Sequence, residues 1–85
     1  MKKTELQLLT EALRHLDQAI KYSHFDLEED LVVDAIAMRL VACLDALGQL
    51  DEGRLNAVFG GGWHLMRGIR NRLVHGYATF DADFI

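Results

Sequence analysis

An all-α antiparallel helical bundle is the fold class this sequence predicts, and three observations predict it. Leu6, Leu9, Leu13, Leu16 and Ile20 alternate at spacings of three and four, the signature of one stripe on an amphipathic helix. A nearly unbroken apolar run follows from Leu31 to Leu47, and proline is absent from the whole chain. Eighty-five residues form a single domain, 1–85, whose folding removes only about 60–65% of the unfolded surface from water. The apolar fraction of 51% is high for that size, and it asks for an interface as well as a core.

The first helix runs from Thr4 to about Tyr22. "SHFDLEED" then reads as a loop, in which Asp26 is the expected N-cap and Glu29 its capping-box partner. The second helix should extend from about Leu27 to Leu47. It is apolar almost all round, which suits the central helix of a bundle, the seam of a homodimer, or both. Its Asp34 and Asp45 stand eleven residues apart and so share one angular position; on spacing alone solvent outweighs a functional cleft as their surroundings. Residues 49–62 form a connector with a short helical turn at Arg54–Phe59, and Gly60, Gly61 and Gly62 make a hinge. These glycines lack the flanking strand and the Gly-Lys-Ser/Thr ending of a phosphate loop. A third helix starts near Trp63 and ends near His75, with Gly76 as its stop and Asp81 placed to cap a further helix.

Charge narrows the function classes. The net charge of −4 by itself argues against a nucleic-acid binder, yet no acid occurs from Gly53 to Phe80, where Arg54, Arg67, Arg70, Arg72, His64 and His75 all fall. Such a local basic patch suits phosphate at one face, or simply a solvated surface. No run of eighteen apolar residues is present, so no membrane span is expected. Glu5, Gln7 and Glu11 interrupt any secretion-signal core in "MKKTELQLL". The single Cys43 makes a reducing cytoplasm the simplest location. The four histidines have no HExxH or Cys-paired spacing, so neither a metal nor another cofactor is expected.

The densest chemistry is "IRNRLVHGYATF", residues 69–80. Arginine and histidine complement the negative end of a helix dipole, and composition alone favours that account. Spacing complicates it. Arg70 and His75 are five residues apart and diverge by about 140° on a regular helix, whereas Asn71 and His75 share a face. For Arg70 and His75 to act together, either the helix distorts before Gly76 or two copies meet across a two-fold axis. Two histidines with two arginines would supply a base, an acid and a cation for RNA cleavage without a metal.

The stretch "GIRNRLVHGYATFDADFI" closely resembles the HEPN ribonuclease superfamily, specifically its HepT-like toxin branch. The pattern of Arg, a polar residue, His and Tyr is met by Arg70, Asn71, His75 and Tyr77. Upstream, "DAIAMRLVACLDAL" is similar to the family's second helix, with Leu44-Asp45-Ala46 where Gly-Glu-Ala is common, and Trp63 falls at a position often aromatic. The resemblance implies a homodimeric all-α bundle that cleaves RNA without a metal. It implies that Arg70 binds or polarises the phosphate, His75 is the acid/base, and Asn71 orients one of them; Asp45, Arg67 and Arg72 are candidate cleft support beside them. It further implies a nucleotidyltransferase antitoxin as partner, able to transfer AMP to Tyr77, and a last helix that this chain lacks. The alternative is a catalytically silent helical module that docks a nucleotidyltransferase.

Overall fold

A computed structural model describes the backbone of residues 2–84 and the side chains of residues 2–75. Four helices follow one another: α1 (Glu5–Tyr22), α2 (Asp30–Gly48), α3 (Glu52–Phe59) and α4 (Gly62–Phe84), with no strand among the described residues. The all-α expectation holds. None of these helices is long and apolar enough to cross a membrane.

Helix α1 begins where its sequence says it should. The Thr4 hydroxyl accepts from the Gln7 backbone N–H, and the Gln7 side chain accepts from the Thr4 N–H, so two donors that the helix cannot satisfy find partners. The start of α2 differs from expectation. Asp26 accepts the Glu28 N–H in a tight turn, and that local bond competes with capping. The helix opens three residues later, with Glu29 as an N-cap that makes no side-chain bond. Asp51 caps α3 by accepting the Gly53 N–H, and α3 ends at Gly60, whose φ of 55° and ψ of −134° suit a residue without a Cβ.

Two corrections concern faces and ends. The stripe Leu6, Leu9, Leu13, Leu16 and Ile20 does not face the core. Leu6 is 74% exposed, Leu13 60% and Ile20 52%. The buried residues of α1 are Leu8, Ala12 and Ala19, centred roughly 100° round the helix from that stripe. Small side chains let α2 come close: Ala12 packs with Cys43 and Ala46 of α2. A second cluster joins Leu8, Leu50, Leu55 and Trp63, bordered by Leu47, Phe59 and Met66. The other correction is Gly76. The expected stop lies inside α4, which continues to Phe84 and takes in Asp81, so no new helix is capped there. A glycine within a helix costs only about 1 kcal/mol, too little to end one that is otherwise supported.

The fold leaves much apolar surface uncovered. A 9.6 kDa chain is expected to expose about 5,100 Å², and this one exposes 6581 Å². Its radius of gyration is 14.3 Å, against about 12 Å for a compact chain of this length.

Candidate active-site groove

Helix α4 packs along α2, and their junction builds an open groove. Its lining includes Leu44, Asp45, Gly48 and Gln49 from the end of α2 and Trp63, Arg67, Arg70 and Asn71 from α4, around a volume of about 520 Å³. Trp63 forms the floor. Its ring stacks at a tilt on Phe59, with centroids 5.9 Å apart, and lies close over Gly48, where an added Cβ would stand 3.5 Å from the ring. The glycine is thus the place where α2 and the indole can approach without a side chain between them.

Above that floor Arg70 is held from two sides. Its Nε donates to Asp45 Oδ1 at 2.7 Å and one terminal nitrogen reaches Asp45 Oδ2 at 3.5 Å. The other terminal nitrogen donates to Asn71 Oδ1 at 3.3 Å. The fork of an arginine matches the two oxygens of a carboxylate, and Asp45 raises the Arg70 pKa above its ordinary value, first through this hydrogen bond and then through its charge. The guanidinium therefore stays cationic at any working pH. Both groups are partly open to solvent, at 33% and 47% of their side-chain areas. Asp45, which spacing alone would turn toward solvent, is the carboxylate that positions the motif arginine.

The structure brings together Arg70, Asn71, Asp45 and Arg67 in this groove. It does not bring in His75 or Arg72. Both are exposed on α4, and neither is among the residues lining the groove. Because α4 runs unbroken through Gly76, the helix does not distort to bring Arg70 and His75 onto one side. The side chain of Tyr77 lies outside the described residues. Among the described residues no three His, Cys, Asp or Glu side chains gather as a cation site.

Sequence reasoning named Trp63 but not its role as the floor, and it missed Gly48 and Gln49. The signal for Gly48 was a glycine at the end of an otherwise apolar helix, which local pattern reads as a stop alone. Arg39 of α2 is not among the residues lining the groove. It donates to His15 Nδ1 at 3.0 Å and lies 5.9 Å from the Tyr22 ring centre, which ties α2 to α1 on the side away from the groove.

The model of a family described as Ribonuclease HepT-like matches residues 4–85. No curated protein and no solved structure matches the chain. A match over nearly the full length settles the relationship: the chain belongs to the HepT-like ribonuclease family.

Proposed function

We propose that the protein is a metal-independent endoribonuclease, the toxin component of a toxin–antitoxin pair, and that it works as a homodimer in the cytoplasm. The observation that carries the proposal is the unbroken α4. Arg70 turns into a groove beside α2 while His75, five residues on, points about 140° away. A single copy cannot aim both at one phosphate, and a two-fold partner supplies the missing group.

In such a cleft an imidazole takes the proton of a ribose 2′-hydroxyl. The 2′-oxygen then forms a bond to phosphorus, and the bond to the 5′-oxygen breaks. The second imidazole, in its protonated form, gives its proton to the departing 5′-oxygen. A 2′,3′-cyclic phosphate and a 5′-hydroxyl result. Arg70 stabilises the charge that builds on the phosphoryl oxygens, Asn71 steadies the guanidinium, Asp45 sets its direction, and Arg67 and Arg72 attract the RNA backbone. A nucleotidyltransferase antitoxin that placed AMP on Tyr77 would fill the phosphate site with a competing anion.

The Asp45–Arg70 pair also favours a second reading. With Nε already committed to a carboxylate at 2.7 Å, the arginine of a catalytically silent module would be fully occupied, and the chain would serve to dock a nucleotidyltransferase. RNA incubated in EDTA with wild type, His75→Ala and Arg70→Ala separates the two. Cleavage by wild type alone supports the enzyme. Cleavage that survives both substitutions removes the motif as its site, and an inert wild type favours the docking module.

A further inference from the structure

Cleavage at a phosphate employs Arg70, Asn71 and Asp45 and gives no task to another polar side chain of the groove. Gln49 follows α2 as its C-cap and lines the groove beside Leu44 and Gly48. Its backbone N–H bonds the Ala46 carbonyl instead of reaching Asp45, as a further turn of α-helix would require. The Gln49 side chain reaches that carbonyl in its place, with Nε2 donating to the Asp45 oxygen at 3.3 Å. A carbonyl only accepts, so the amide nitrogen is the atom that meets it. This bond settles which end of the carboxamide is which. One Nε2 hydrogen and Oε1 remain, a donor and an acceptor side by side, with no other bond among the described residues.

One residue thus holds two groups of the groove. Asp45 fixes the Arg70 guanidinium through its carboxylate and the Gln49 carboxamide through its backbone carbonyl. Three of the five guanidinium N–H groups are engaged by Asp45 and Asn71, and the other two are available to phosphate oxygens. A cation and a donor–acceptor pair stand at the two ends of one aspartate, and Leu44, Gly48 and Trp63 supply apolar wall beside them.

We propose that Gln49 reads the base of the nucleotide whose phosphate Arg70 holds, and that this base is adenine. The proposal rests on the RNA-binding reading of the groove given above. Adenine offers a donor at N6 beside an acceptor at N7, and a carboxamide pairs with both, whereas guanine offers two acceptors on that edge. Cytosine and uracil also set a donor beside an acceptor, but a single ring fills less of the groove. Its volume of about 520 Å³ falls within the roughly 300–1,000 Å³ of small-ligand pockets. Gly48 is exposed and has no side chain, which opens room for the second ring beside Leu44. Unstacked bases of single-stranded RNA present such edges freely. Arg70 then sets affinity for any strand, and Gln49 sets the choice among strands.

Fluorescence anisotropy of 5′-labelled tetranucleotides of adenosine, cytidine and uridine, each 2′-O-methylated, tests the base pocket on the full chain. The methyl group blocks the 2′-oxygen, so binding is read without cleavage. Wild type is expected to bind the adenosine strand about tenfold more tightly than the other two, the scale of one bidentate base contact. Gln49→Ala, and Gln49→Met with its similar length and no amide, are expected to bring the three strands to one affinity with unchanged circular dichroism. Arg70→Ala is expected to weaken all three by a common factor and keep their ratio. A lost helix cap would lower every affinity alike, so the ratio reports base reading alone. Equal binding of the three strands by wild type, tighter binding of a pyrimidine strand, binding of none, or an adenosine preference that survives Gln49→Ala overturns the proposal. RNA cleavage in EDTA separates it from the enzyme reading. Adenosine-selective binding without cleavage keeps the base pocket and removes the enzyme; cleavage with no preference among bases keeps the enzyme and removes the pocket.

Discussion

Arg70 of α4 and Asp45 of α2 form a forked ion pair, with Nε 2.7 Å from one carboxylate oxygen and a terminal nitrogen 3.5 Å from the other. The residues are twenty-five positions apart, so the bond fixes one helix against another at the mouth of the groove. Surface ion pairs add little to stability, and the value of this one is direction. Asp45→Asn is expected to leave the melting temperature nearly unchanged while kcat on RNA falls about 10- to 100-fold, the scale of a misplaced catalytic group. Arg70→Lys should lose a similar factor, because an ammonium cannot reproduce the planar fork. A fall confined to KM would reassign Asp45 from positioning to simple RNA binding.

Trp63 and Gly48 form a matched pair of opposite sizes. Trp63→Ala removes the largest side chain of the core cluster, and the expected loss is about 3–5 kcal/mol, enough to leave so small a domain largely unfolded in a urea titration. Gly48→Ala meets the ring at an ordinary contact distance of 3.5 Å and should be neutral or stabilising by about 0.5 kcal/mol. Gly48→Leu has no such room and should lower the urea midpoint. Equal midpoints for the Ala and Leu variants would show that the ring does not rest on this glycine.

Gly60 closes α3 with a positive φ of 55°, and Gly61 follows it with nothing within 4 Å of an added Cβ. Gly60→Ala is therefore expected to destabilise by about 1–2 kcal/mol, while Gly61→Ala changes little. Thermal melts of the two variants make the comparison directly, and a larger loss at Gly61 would contradict it.

Cys43 is buried at 7% exposure between α1 and α2, and burial raises its pKa by disfavouring the thiolate. Its folded-state preference for the neutral thiol is fully present below the ordinary thiol pKa and is lost as pH rises through the raised value. Iodoacetamide at pH 8 should thus label the native chain far more slowly than the chain in 6 M urea, on the order of 100-fold. Equal rates would mean that α1 opens readily from α2.

Much of the fold was legible because it is local. The start of α1 at Thr4, the helical turn before Phe59 and the apolar run of α2 are each written in neighbouring residues. What escaped is what depends on distant ones. Periodicity finds the stripe on α1, but two adjoining faces of that helix are apolar, and the choice between them fell to the alanines that admit α2. Gly76 carries the signal of a helix end, and only the rest of α4 overrules it. Asp45 has the spacing of a solvated residue until Arg70 arrives opposite it. At the site, the motif residues were readable by type, whereas the groove that receives one of them was not, since Trp63 and Gly48 shape it from two helices.

The continuity of α4 through Gly76 has a mechanical consequence. Arg70 and His75 ride on one rod, so neither can be adjusted without turning the other. A twist of α4 that improved the grip of Arg70 on Asp45 would swing His75 by the same angle on the opposite side. Two copies joined at such rods would share any such rotation, and a ligand lodged in one groove would be felt as a change of aim in the neighbouring subunit.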